Sequence, residues 1–154
     1  MRRVIRCLLI CVLILEVIKV YNVEMKTFQL TITVSPKDID ELHHVNNVVY
    51  VQWVQDVAKA HWESLAPKEV QEKYIWMVLR HEVDYSGQAK EGDVLIAKTW
   101  VAWSEGVKSE RHVEISNKET GKVLVKAKTL WCLLDAQTKR PKRIEVDITS
   151  VFQD

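Results

Sequence analysis

Residues 38–53 of the chain read DIDELHHVNNVVYVQW, in which a polar loop runs directly into an apolar segment. Asn46 and Asn47 stand at the junction, and Asn is a favoured residue at a helix N-terminus. No Gly or Pro follows until after Ser64, so the pattern predicts a helix over residues 48–64. The first half of this segment is apolar almost all round, which is typical of a helix buried inside a domain.

The rest of the chain predicts strands around this helix. Residues 27–34 alternate in polarity and are rich in β-branched side chains. Beyond a short helical stretch at 68–73, further strands are predicted at residues 74–85, 94–103, 109–116 and 122–134, and a last strand or helical turn at 144–151. An antiparallel sheet can cover one apolar helix. The sequence therefore predicts a single α+β domain over residues 25–154, with an antiparallel β-sheet wrapped around a long central α-helix.

Residues 1–24 do not fit this pattern. Arg2, Arg3 and Arg6 precede an apolar run at residues 7–15, far shorter than the roughly 20 residues that span a bilayer. Three explanations remain open: an uncleaved membrane anchor, a secretory signal that lacks a small-residue cleavage site, or an extension upstream of a true start at Met25. Membrane contact through residues 1–24 is therefore an alternative to the cytoplasmic location that we expect.

Composition excludes other classes of protein. Lys and Arg total 22 against 21 Asp and Glu, for a net charge of +1, and a nucleic-acid partner usually requires a strongly basic face. The three Cys include no CxxC pair, so we expect neither a disulfide framework nor a zinc site. We expect the protein to be in a reducing compartment. A metal site built from Asp40, His43 and His44 is disfavoured, because the ligands are crowded and no distant ligand completes them.

The junction between loop and helix also suggests chemistry. The first N–H groups of a helix have no intrahelical partner and carry partial positive charge, so they can bind an oxyanion. Asp40 precedes the junction closely enough to fold over it, and a carboxylate there can activate water or attack a carbonyl. The same residues also fit plainer roles. Asp38 and Asp40 could be solvated acids, His43 and His44 an exposed pair or a core histidine, and Asn46 and Asn47 only a helix cap.

The stretch resembles the DxDxxGHVNNxxYxxW signature of hot-dog-fold thioesterases, in the branch of the 4-hydroxybenzoyl-CoA and acyl-acyl-carrier-protein (acyl-ACP) thioesterases. The residues in register are Asp38, Asp40, His44, Val45, Asn46, Asn47, Tyr50 and Trp53. Residues 85–93, YSGQAKEGD, resemble the family's tyrosine-to-GD segment. The resemblance extends over residues 25 to about 150.

The resemblance implies a hot-dog fold and an acyl-CoA thioesterase that needs no metal or organic cofactor. Asp40 would be the catalytic base or nucleophile, the Asn47 N–H would polarise the thioester carbonyl, and His44 would assist. We expect Asn46, Tyr50 and Val54 to contact the substrate, with Val57 also along the acyl tunnel. The resemblance further implies a homodimer or homotetramer with active sites at the subunit interface.

Two positions depart from the family pattern. His43 replaces the usual glycine, so we expect the loop to reach positive φ less easily. Leu42 stands where the plant-type enzymes have Asn, which favours CoA over ACP as the acyl carrier. Candidates for binding the CoA phosphates are Lys122, Lys126, Lys128, Lys139, Arg140, Lys142 and Arg143. Two other functions remain open: a hydratase or dehydratase of acyl thioesters, and a non-catalytic acyl-thioester-binding protein.

Overall fold

The computed structural model describes residues 26–152. Its strands are β1 (Phe28–Thr33), β2 (Tyr74–Tyr85), β3 (Val94–Glu105), β4 (Lys108–Asn117) and β5 (Val123–Asp135). Its helices are α1 (Asn47–Leu65), α2 (Lys68–Lys73) and α3 (Val146–Thr149), with 3-10 turns at Pro36–Asp38 and Ser150–Phe152. The elements follow the predicted order. The hypotheses about residues 1–24 concern residues outside the described range.

The five strands form one sheet in the order β1-β3-β4-β5-β2, and every neighbouring pair is antiparallel. β3, β4 and β5 occupy the middle, where each has a partner on both sides. β1 and β2 are the edges, and β2 is the longer of the two at 12 residues. The predicted antiparallel sheet is therefore confirmed. The first strand of the chain, β1, pairs with β3 and not with β2.

The core lies between α1 and one face of this sheet. Buried side chains of α1 recur at spacings of one, three and four residues: Tyr50, Trp53, Val54, Val57, Ala58 and His61. They meet alternate residues of the strands, among them Leu95, Ala97, Val113, Ile115 and Val125. Burying each large apolar side chain contributes about 1.5–3 kcal/mol, so this contact supplies much of the stability. The predicted central helix is confirmed, and it extends one residue further at each end.

The chain ends of the described region are held to the same core. The tail is helical, and Ile148 and Phe152 are buried. The Lys26 N–H donates to the Phe152 carbonyl at 3.0 Å, which places the tail beside the start of β1. Within residues 26–152 there is no helix both long and apolar enough to cross a membrane.

Candidate active site

The loop before α1 closes into a tight turn that positions Asp40 and His44. Ile39 and Val45 form an isolated antiparallel bridge. The Asp40 N–H donates to the His44 carbonyl at 2.9 Å, and the His43 N–H donates to the Asp40 carbonyl at 3.0 Å. His43 completes the turn at φ 60°. The loop therefore adopts the left-handed backbone even with histidine in place of glycine, held by the bridge and the two hydrogen bonds.

Asp38, the first carboxylate of the motif, has a structural position. Its side chain is 8% exposed. Its Oδ2 accepts hydrogen bonds from the Ser35 N–H at 2.9 Å and from the Ser35 hydroxyl at 2.6 Å. Its backbone carbonyl accepts from the Asn46 N–H at 2.9 Å. These contacts tie the end of β1 to the start of α1, so Asp38 holds the loop in place.

The N-terminus of α1 leaves one backbone donor free. Asn46 is the N-cap, and its Oδ1 accepts from the Val48 N–H at 2.9 Å. The Val49 N–H donates to the Asn46 carbonyl at 2.9 Å. The Asn47 N–H has no hydrogen-bond acceptor among the residues that the structure describes. Because this end of the helix carries partial positive charge, the Asn47 N–H is the donor available to a ligand oxygen.

A cleft of about 740 Å³ lies in front of this N-terminus. Its lining residues are Asp40, Leu42, His44, Val45, Asn47, Tyr50, Tyr85, Ser86, Gly87, Gln88, Lys90 and Lys122. Four of the six predicted site residues, Asp40, His44, Asn47 and Tyr50, thus line one cleft. Asn46 does not line it and caps the helix instead. Val54 does not line it either, because its side chain is 0% exposed in the core.

The side chains of Asp40 and His44 do not form a hydrogen-bonded carboxylate–histidine pair. The Oδ1 atom of Asp40 accepts a hydrogen bond from the Leu42 N–H at 2.9 Å, so the backbone orients the carboxylate. The His44 Nδ1 is buried and has no hydrogen-bond partner within residues 26–152. The Leu42 backbone N–H therefore contacts the Asp40 carboxylate at the position where the plant-type enzymes carry Asn.

Two tyrosines, Tyr50 and Tyr85, also line the cleft. The Tyr50 hydroxyl accepts from the Ala89 N–H at 3.0 Å, and the Tyr85 hydroxyl donates to the Asn47 carbonyl at 3.2 Å. Their rings meet edge to face at 6.0 Å between centroids. Burial raises the pKa of both tyrosines, so both hydroxyls stay protonated at neutral pH. Tyr85 therefore supports the first turn of α1 from the end of β2.

Residues 85–90 were not predicted as site residues, although the YSG segment pointed to them. A Cβ at Gly87 would lie 2.8 Å from the Leu124 Cδ2, so a larger residue there would require the Leu124 side chain to shift. Lys122, one of the cations considered for phosphate binding, lines the cleft, and so does Lys90, which was not considered. In the described part of the chain, no three His, Cys, Asp or Glu side chains are grouped to hold a metal.

Comparison with known proteins gives this cleft a family context. A family model described as the acyl-ACP thioesterase N-terminal domain matches residues 25–152. A chloroplastic palmitoyl-acyl carrier protein thioesterase of Gossypium hirsutum is 30% identical over 82 residues, which are 53% of this chain and 20% of that protein. The chain spans about a fifth of the length of the curated relatives it matches.

Solved structures share the fold at low sequence identity. A 1,4-dihydroxy-2-naphthoyl-CoA thioesterase from Synechocystis superposes with a TM-score of 0.71 at 16% identity, over 82% of this chain and 95% of that one. A Staphylococcus aureus protein solved in complex with CoA gives 0.72 at 15% identity, over 82% of each chain. These likenesses confirm the predicted hot-dog fold. The family agrees with the predicted enzyme class, a thioester hydrolase. Because its model covers nearly all of the described residues, the chain belongs to the acyl-ACP thioesterase family.

Proposed function

We propose that this chain hydrolyses an acyl thioester in the cleft at the N-terminus of α1. The observation that carries the proposal is that a carboxylate, Asp40, and an unpaired helix N–H, that of Asn47, line the same cleft. Thioester hydrolysis needs both groups, one to supply the attacking oxygen and one to stabilise the oxyanion. The family of the chain supports the same reaction.

The proposed reaction uses the cleft residues in sequence. The thioester carbonyl oxygen accepts the Asn47 N–H, which polarises the carbon–oxygen bond. Asp40 removes a proton from a water molecule as the water oxygen attacks the carbonyl carbon, or its own oxygen attacks and water then releases the acid. On the first route the carbon–sulfur bond breaks and the departing sulfur takes up the proton held by Asp40. On the second route the thiolate leaves as the anhydride between the acyl group and Asp40 forms, and it takes up a proton from the water that then hydrolyses this anhydride. His44 and Tyr50 line the same cleft, and the His44 ring would donate a hydrogen bond to the substrate.

We propose CoA as the acyl carrier. Leu42 removes the Asn side chain of the plant-type enzymes, and Lys90 and Lys122 supply two cations for the CoA phosphates at the cleft. One structural relative was solved with CoA bound. ACP is the alternative, favoured by the family model and by the plant relatives. The two carriers present the same thioester, so the choice between them leaves the proposed roles of Asp40 and Asn47 unchanged.

We further propose that the chain forms a homodimer through β2, or a homotetramer built from two such dimers. This edge strand has 12 residues and one unpaired side. Ile75, Met77 and Leu79 alternate along it as exposed apolar side chains. Long apolar edge strands favour pairing with another strand. Because Tyr85 ends the same strand and lines the cleft, a partner on β2 would stand next to the site.

The remaining proposals concern the whole chain. We propose that residues 25–154 form one thioesterase domain in the cytoplasm, to which residues 1–24 are an extension. Cell fractionation of the full chain and of a chain starting at Met25 tests this. Membrane retention that depends on residues 1–24 would instead identify an anchor.

Thiol release from a panel of acyl-CoAs and acyl-ACPs tests the reaction and the carrier. The panel runs from short to long aliphatic chains and includes aromatic acyl groups. Wild type is compared with Asp40→Asn, whose amide oxygen can still accept the Leu42 N–H and so preserves the turn. Asp147→Asn is the matched control, because Asp147 is exposed and lines no part of the cleft.

We expect Asp40→Asn to lose at least about 100-fold in rate, the lower end for loss of a general base, and Asp147→Asn to retain the wild-type rate. Hydrolysis of acyl-ACPs and of no acyl-CoA would show that the acyl carrier is ACP and not CoA. Absence of thiol release from every thioester would overturn the hydrolase proposal. Hydration of an enoyl thioester, or binding without turnover, would then identify the hydratase or the binding protein.

A further inference from the structure

A second cavity lies along the C-terminal half of α1 and shares no lining residue with the cleft around Asp40. We name it the tryptophan cavity. Its lining residues are Gln52, Gln55, Asp56, Ala58, Lys59, Trp62, Glu63, Gln71, Trp76, Val101, Ser109, Arg111, Trp131 and Phe152. Its volume of about 470 Å³ falls within the range of roughly 300–1,000 Å³ found for small-molecule sites.

The walls of the tryptophan cavity are aromatic and its mouth is polar. Trp62 contacts Trp76 edge to face at 5.9 Å, and it contacts Phe152 at 5.8 Å between ring centroids. At the mouth, Asp56 accepts from the Gln52 amide at 2.8 Å. Lys59 pairs with Glu63 at 3.7 Å, and both side chains are mainly exposed. The charges at the mouth are therefore solvated or paired with each other, and the interior suits an apolar molecule.

Arg111 brings a positive charge into this interior. Its side chain extends from β4 and is 5% exposed. Its Nη1 donates to the His61 Nδ1 at 2.8 Å and to the Thr99 hydroxyl at 3.2 Å, and its guanidinium carbon lies 5.2 Å from the centre of the Phe152 ring. All these partners are neutral. No carboxylate of residues 26–152 pairs with Arg111, and its other N–H groups have no acceptor there.

A second donor at the wall also lacks an acceptor. The indole Nε1 of Trp131 is buried and has no hydrogen-bond partner in the described region. The cavity thus combines the Arg111 cation with apolar rings. Burial lowers the pKa of Arg111 to about 10, which still leaves it charged at neutral pH. A buried charge without a counter-ion is strongly unfavourable, and Met would fill a similar volume without that cost. The Arg111 guanidinium therefore indicates an acceptor that is not among residues 26–152.

We propose that the tryptophan cavity binds a carboxylic acid with an apolar body. The carboxylate pairs with the free edge of the Arg111 guanidinium, whose geometry matches two carboxylate oxygens. The apolar body packs against the rings of Trp62, Trp76 and Phe152. This site lies outside the cleft proposed for hydrolysis, and the inference does not depend on that reaction.

Ligand titration against the full chain tests the proposal. The probes are 3-phenylpropanoate and octanoate, each compared with its neutral amide, which has nearly the same shape. Binding is followed by tryptophan fluorescence, since three of the six tryptophans line the cavity, and by calorimetry. We expect each acid to bind wild type at least about tenfold more tightly than its amide, because the hydrogen bonds of the acid are charge-assisted.

Arg111→Met should abolish this preference for the acid. Arg143→Met is the matched control, because Arg143 is exposed and lines neither cavity, and it should keep the preference. Without ligand, Arg111→Met should unfold at the same or a higher urea concentration than wild type, because it loses an unpaired buried charge.

The proposal fails if wild type binds the acids no more tightly than the amides, or if Arg111→Met keeps the preference. The comparison of acid and amide uses wild type alone, so it holds even where the variant does not fold. Thiol release by wild type is measured separately, and its loss would not affect these outcomes. Acids matching the hydrolysed thioesters and unrelated acids are both titrated, which separates the reaction product from an independent source of the ligand.

Discussion

His61 should make the protein less stable at mildly acidic pH. Its side chain is 1% exposed, and its ring stacks on Phe28 at 5.4 Å. Burial, and then the positive charges of Arg111 and Lys26, lower its pKa from 6.5 to about 4. In the unfolded chain the imidazole regains its ordinary pKa, so the unfolded state binds a proton first as the pH falls. Stability that is present above pH 6.5 is therefore lost between pH 6.5 and about 4.

The size of this loss follows from the pKa difference between the two states. The difference of about 2.5 pH units, at 1.36 kcal/mol for each, sets an upper limit of about 3.4 kcal/mol well below pH 4. Between pH 7 and pH 5 the unfolded imidazole becomes mostly protonated while the folded one stays mostly neutral. The expected loss over that interval is about 2 kcal/mol.

Urea unfolding of wild type and His61→Gln at pH 7 and pH 5 measures this quantity. Gln stays neutral at both pH values, and its side-chain oxygen can accept from Arg111 as the imidazole does. Wild type should lose about 2 kcal/mol more than His61→Gln between the two pH values. Burial also lowers the pKa of His81, but that residue is present in both proteins and cancels in the comparison. Equal losses would refute the reasoning.

Two further substitutions test the edge strand and the catalytic loop. Met77→Glu places a charge on β2 and should shift the protein towards monomer in analytical ultracentrifugation. The control Val146→Glu, at an exposed apolar residue of α3, should not change the mass. The same mass for wild type and Met77→Glu would contradict pairing through β2. His43→Gly relieves a positive φ and should raise the free energy of unfolding by about 1 kcal/mol with little change in thiol release. A destabilised His43→Gly would show that the histidine ring makes a contact of its own.

The sequence predicted the fold because its elements are locally consistent. The alternation in β1 and the apolar run after Asn47 each indicate one kind of structure, and the glycines fall in the breaks between strands. The pairing of β1 with β3 could not be predicted in this way. Strand order depends on which distant surfaces meet, and no local pattern records that.

The candidate site could be predicted in part for the same reason. Asp40, His44, Asn47 and Tyr50 lie on one continuous segment, so a motif brings them together before any tertiary contact does. Val54 follows on the same helix, but helical periodicity cannot show which of the buried side chains line a cleft and which lie in the core. Lys90 and Tyr85 come from a second segment, and the contact between Arg111 and His61 joins residues 50 positions apart. Such pairings require the folded chain.

Two positions should cost the fold stability: His43, in the turn beside Asp40, and Arg111, in the tryptophan cavity. His43 holds a positive φ beside Asp40, at a cost of roughly 1–2 kcal/mol for an L-residue. Arg111 holds an uncompensated charge in the tryptophan cavity, at a cost of several kcal/mol by general experience with buried ions. Against a total stability of about 5–15 kcal/mol, such costs are large. By contrast, Asp38 and Asn46 accept hydrogen bonds from backbone N–H groups, so they stabilise the loop and the start of α1. The two kinds of residue should separate experimentally, because relieving His43 or Arg111 raises stability whereas removing Asp38 or Asn46 lowers it.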